Sequence, residues 1–199
     1  AEAPARVENL KFVFEKGNTT GRIQFTAPSK KINGEPLTGN LTYYVVANND
    51  TVKKGVATAG AKVDDEITVP GGDTKFLVTI ANAAGSSPKV RYTAWVGYDI
   101  PADIERVKFS YDGTIAVVTW PSVTQGKHGG YVGEVMYDVK RMPDGAQVQT
   151  NVTGNSLSVP FTTTELKKYS FAITPKAGNR QGNGVASNGI VIGKAIVPP

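Results

Sequence analysis

Apolar residues recur along this chain at every second position in short runs, and nowhere do they hold a 3.6-residue period long enough for a helix. Leu41, Tyr43 and Val45 alternate with polar neighbours, and Val135, Tyr137 and Val139 do the same. A strand turns successive side chains to opposite faces, so each run reads as a strand with one face on a core. The pattern predicts strands over 7–14, 21–27, 41–48, 51–58, 65–70, 75–82 and 90–97. A second set follows over 104–110, 115–120, 135–142, 146–152, 156–161, 168–174 and 185–192.

The two sets are one pattern written twice. Pro4 to Phe12 lines up with Pro101 to Phe109 at an offset of 97, and Ile23-Gln24-Phe25 with Val118-Thr119-Trp120 at 95. Gly39 to Val45 matches Gly133 to Val139 at 94, and Phe76 to Ile80 matches Tyr169 to Ile173 at 93. Such slowly shrinking offsets are expected when equivalent strands are kept and loops change length. Seven short strands per copy, separated by turn residues, predict an all-β chain of two tandem seven-stranded Greek-key sandwiches, 1–98 and 99–199.

Several segments carry a family likeness. Val117 to Pro121, with Trp120, looks like the second strand of a fibronectin type III module, and Leu166 to Ile173 is similar to the corner that leads into its sixth. Ile80 to Ser86 resembles that strand's exit. The resemblance to fibronectin type III modules covers essentially the whole chain and implies immunoglobulin-like sandwiches. The insert Gln125 to Tyr131 resembles a variant found in secreted and surface proteins of Gram-negative gut bacteria, which implies an extracellular or cell-surface chain, lipid-anchored through a segment outside it. Two departures stand out in the first module. Phe25 occupies the place of the core Trp, and Phe76 that of the corner Tyr, so the corner hydroxyl bond is not expected there.

Composition narrows the chemistry. The chain has no Cys, which excludes disulfides, thiolate metal sites and a cysteine nucleophile. Net charge is +5, yet Lys and Arg are spread along the chain rather than concentrated with aromatics on one element, so no nucleic acid is expected as partner. No apolar run is long enough to span a membrane as a helix. The single histidine, His128, lies in a glycine-rich loop with no partner evident from sequence, so a Ser-His-Asp triad is not expected. Asp64-Asp65-Glu66 lacks the spacing of a calcium loop. We expect no enzyme, no cofactor and no metal.

Binding is the remaining class. Alternation in 90–97 puts Val90, Tyr92, Ala94 and Val96 on the core face and Trp95 on the other, where it either meets a ligand or packs on Tyr98 or the neighbouring module. Tyr131, and Arg180 in a loop at the sandwich end, are further candidate ligand contacts alongside Trp95 and Tyr98. The connection from Gly97 to Pro101 is short and stiffened by Pro101, and 193–199 has the composition of a following linker. The expected role is a monomeric structural spacer or a protein- or glycan-interaction segment whose partners include other domains of the same polypeptide. The alternatives are accessory domains of a secreted polysaccharide hydrolase or peptidase, or a direct carbohydrate-binding module.

Overall fold

The computed structural model describes residues 2–194, so the linker expected at 193–199 lies, from 195 onward, outside the described residues. The chain divides into two compact units, Ala1–Tyr98 and Asp99–Pro199. All regular structure among the described residues is strand.

In the first unit the main strands are β1 (Glu8–Phe14), β2 (Thr20–Thr26), β3 (Asn40–Ala47), β4 (Asp50–Thr58), β5 (Lys62–Thr68), β6 (Gly72–Asn82), the short β7 (Gly85–Ser86) and β8 (Val90–Val96). One antiparallel sheet runs β1-β2-β5, and the other runs β4-β3-β6 with β7 and β8 paired to β6. The β3–β4 hairpin turns on Asn48 and Asn49, both with positive φ (48° and 74°). Asn tolerates that left-handed backbone, which matches the right-handed twist of the strands it joins. Asn48 also ties the turn down: its Oδ1 accepts from Lys75 N–H at 2.8 Å and its Nδ2 donates to Asp73 O at 3.0 Å.

The alternating residues meet between the sheets. Ile23, Phe25, Leu41, Tyr43, Val45, Phe76, Val78 and Ile80 are all buried, and each such side chain withdrawn from water is worth about 1.5–3 kcal/mol. Phe25 stands edge-on to Tyr43 with centroids 5.1 Å apart. The Tyr43 hydroxyl donates to Asp65 Oδ2. Burial and that hydrogen bond push the Tyr43 hydroxyl pKa well above its ordinary value.

The second unit repeats the plan with β9 (Lys108–Tyr111), β10 (Ile115–Thr119), β11 (Met136–Met142), β12 (Ala146–Val152), β13 (Ser156–Pro160), β14 (Lys167–Ala177), β15 (Arg180–Gln181), β16 (Val185–Ala186) and β17 (Ile190–Ile192). Its sheets run β13-β10-β9 and β12-β11-β14, with β15, β16 and β17 all paired to β14. A separate core gathers Val118, Trp120, Tyr137, Val139, Tyr169, Phe171 and Ile173. Trp120 meets Tyr137 edge-on at 5.3 Å, where the first unit has Phe25 and Tyr43.

Two expectations need correction. Pairing sets Val45 opposite Val78 and Val139 opposite Ile173, an offset of 95 along β6 and β14 rather than 93. The first-unit residue equivalent to Tyr169 is therefore the buried Thr74, whose hydroxyl donates to Gly72 O at 3.0 Å, and Phe76 matches Phe171. Tyr169 does form the corner bond, its hydroxyl donating to Glu165 O at 3.0 Å. The last strand, expected over 185–192, is broken at Ser187-Asn188-Gly189. There Asn188 reaches across to β9, its Oδ1 accepting from Phe109 N–H at 2.8 Å and its Nδ2 donating to Phe109 O at 2.9 Å. The side-chain amide bridges to backbone where the ladder is interrupted.

Candidate functional site

The loop before β11 is a small folded element, and the first unit has its counterpart. Gly126 N–H donates to Gly130 O at 3.0 Å and Gly129 N–H to Gly126 O at 3.0 Å. In the loop before β3, Lys31 N–H donates to Glu35 O at 2.8 Å and Gly34 N–H to Lys31 O at 2.9 Å. Both loops bridge back to the segment that opens their unit, through Pro4 with Lys31 and Pro101 with Gly126. The two differ in what caps them. Glu35 N–H is satisfied within the first loop by Asn33 Oδ1 at 3.1 Å, whereas Gly130 N–H donates at 2.9 Å to Asp99 Oδ2, from the start of the second unit.

Asp99 organises this end of the second unit. Its side chain is wholly buried, yet it is saturated with donors: Ile100 N–H to Oδ1 at 2.7 Å, His128 N–H to Oδ2 at 2.8 Å, and His128 Nδ1 to Oδ1 at 2.8 Å. Burial alone would raise the carboxyl pKa. The side-chain and backbone hydrogen bonds from His128, then those from Gly130 and Ile100, outweigh it and hold the pKa below its ordinary value. A carboxylate only accepts, so Nδ1 carries the imidazole proton. His128, taken from sequence to lack a partner, has one; the contact orients the ring and fastens the loop.

Arg180 serves the same corner. Its Nη1 donates to the Asp99 carbonyl and its Nη2 to Val132 O at 3.0 Å, and Asp99 N–H donates to Tyr131 O at 2.7 Å. The structure thus gathers Arg180, His128 and the Tyr131 backbone around Asp99, with the Tyr131 ring partly exposed. Sequence reasoning missed Asp99. The usable signal was the offset of 95 running on past Trp120 into the loop, which aligns Asn33-Gly34 with His128-Gly129 and shows that the cap had changed.

Trp95 and Tyr98 lie in the first unit. Trp95 is half-buried on the face away from the core, and its Nε1 donates to Tyr98 O at 3.1 Å. The Tyr98 ring lies on the backbone of Gly17, where a Cβ would stand 2.5 Å from Tyr98 Cζ. The acidic triplet is dispersed by alternation: Asp64 pairs with Arg22 at 2.9 Å, while Asp65 accepts from Tyr43. Among the described residues no group of three or more His, Asp or Glu side chains is gathered to hold a metal ion. Among the described residues no helix is long and apolar enough to cross a membrane.

No family model matches the chain, and no curated protein matches it. Among solved structures it is similar to the FN1–FN3 domains of chicken CNTN1, at 11% identity over 96% of this chain and 67% of that one, with a TM-score of 0.43. It is also similar to the central fibronectin-III array of RIM-binding protein, at 18% identity over 96% of this chain and 64% of that one, with a TM-score of 0.34. A two-domain fibronectin type III segment of chicken tenascin is similar at 13% identity, over 95% of this chain and 99% of that one, with a TM-score of 0.35. The chain thus spans about two thirds of the first two and nearly all of the third.

Proposed function

We propose that this chain is a non-catalytic structural and interaction segment of a larger extracellular or cell-surface bacterial protein. The observation that carries the reading is how its polar groups are used. His128, Asp99 and Arg180, the groups best suited to acid–base or anion chemistry, hold loops and main-chain carbonyls in place. The Nδ1–H and the backbone N–H of His128 both donate to the buried Asp99 carboxylate, so this residue is one of the ties that close the loop. What these bonds secure is loop geometry.

The test is accessibility on the intact cell. Antibody raised against this chain is expected to label unpermeabilised cells of the source organism. Signal appearing only after permeabilisation would overturn the location. Turnover of ester, glycoside or peptide substrates by the purified chain, lost in His128→Ala, would overturn the non-catalytic assignment.

A further inference from the structure

The cations that look scattered in the sequence are gathered by the register of one sheet. In the first unit the residues of β3, β6 and β8 that alternate with the core positions form the outer face of the sheet. Lys54 on β4 lies opposite Tyr44 on β3, and Tyr44 opposite Thr79 on β6. The next row runs Val46, Leu77, Arg91, and Lys75 follows two residues from Leu77 on β6. Tyr44, Val46 and Leu77 are half-buried, while Lys54, Lys75 and Arg91 around them are exposed. Lys54 Nζ stands 5.7 Å from the Tyr44 ring centre. No ion pair involves these three cations among the described residues; Asp73, opposite Trp95, is the acid at the margin of the face.

From this arrangement we infer that the outer face of β4-β3-β6-β8 binds a carboxylated polysaccharide, an inference that rests on the interaction role proposed above. Lys54 and Arg91 sit on the outermost strands, three inter-strand spacings or about 14 Å apart across the sheet and one row, about 7 Å, apart along it. That spacing suits an extended polymer with spaced carboxylates better than one compact anion. Between them, Tyr44, Val46 and Leu77 offer the apolar and aromatic floor on which the C–H face of a sugar ring lies. An acidic peptide adding as a strand would dock on the outer edge of β4 or β8, not on the face over β3 and β6, which are paired on both sides. Single-stranded nucleic acid needs a run of open rings for stacking, and the two rings of this face, Tyr44 with a cation over it and the half-buried Trp95, lie three rows apart.

Affinity electrophoresis of the whole chain in gels containing polygalacturonate, dextran, polyglutamate or single-stranded DNA tests this. Retardation by polygalacturonate, and not by dextran, is expected, with a steep loss on adding salt. Lys54→Glu/Arg91→Glu should weaken it at least tenfold. Lys140→Glu/Lys168→Glu, which makes the same change in net charge on exposed strands of the second unit, should leave it within twofold. Thermal unfolding is expected to be unchanged in both variants, since all four side chains are exposed. Equal retardation by dextran, stronger retardation by polyglutamate or DNA, equal loss in the two double variants, or no retardation would each overturn the inference. Continued labelling of intact cells would meanwhile leave the broader interaction role standing.

Discussion

A Cβ placed on Gly126 would lie 2.2 Å from Asp99 Oδ2 and 2.4 Å from Asp99 Cγ, so the buried carboxylate occupies the space that any side chain at this position would need. Gly126 is required by a neighbour 27 positions away in sequence rather than by its own backbone angles. Replacing it with Ala should cost about 1–3 kcal/mol, the usual penalty for overfilling a packed site. Asp99→Gly removes every atom in the clash, so Gly126→Ala should cost distinctly less in that background. Denaturant unfolding of the four members of the cycle measures the coupling.

Acid should act on the second unit through the same carboxylate. Because the folded-state pKa of Asp99 is depressed, its contribution is present above the unfolded carboxyl value, near 3.9, and is lost as pH falls through the lower folded value. Unfolding of the second unit should therefore steepen with acid only below about pH 4. Asp99→Asn should destabilise it by about 1–3 kcal/mol at neutral pH and flatten that acid dependence. Thermal melts from pH 2 to pH 7 on both proteins decide the matter.

Base should act on the first unit. The Tyr43 pKa is raised, so its contribution is complete below the unfolded tyrosine value, about 10, and declines as pH rises toward the folded one. Absorbance titration near 295 nm should show a tyrosine that ionises only together with unfolding. In Tyr43→Phe that late step should vanish.

Tyr169→Phe should lower the stability of the second unit by about 0.5–1.5 kcal/mol through loss of the corner bond to Glu165 O. Thr74→Val, at the equivalent place in the first unit, removes a local bond to Gly72 O and should cost no more than that. Calorimetry of the two variants, following the transition of each unit, provides the comparison.

The same corner explains what sequence could and could not convey. Strand positions and the buried set came through because alternation between Leu41, Tyr43 and Val45, or between Phe171 and Ile173, is a direct imprint of a two-faced sheet. Alternation has period two, however, so sliding β6 against β14 by two residues leaves the same face inward. Only cross-strand partners distinguish an offset of 93 from 95, and these are long-range facts. Asp99 was hidden for a related reason. Apart from the adjacent Ile100 N–H, its carboxylate is filled by His128 and Gly130 and its carbonyl by Arg180, all remote in sequence. The gathering of Lys54, Lys75 and Arg91 depends on register in the same way.

Tyr98 O accepts from Trp95 while Asp99 N–H donates to Tyr131 O, so consecutive residues are anchored to different sandwiches. The boundary between the units thus falls on a single peptide bond, and a residue inserted there would have to leave both of these hydrogen bonds intact, one within each unit.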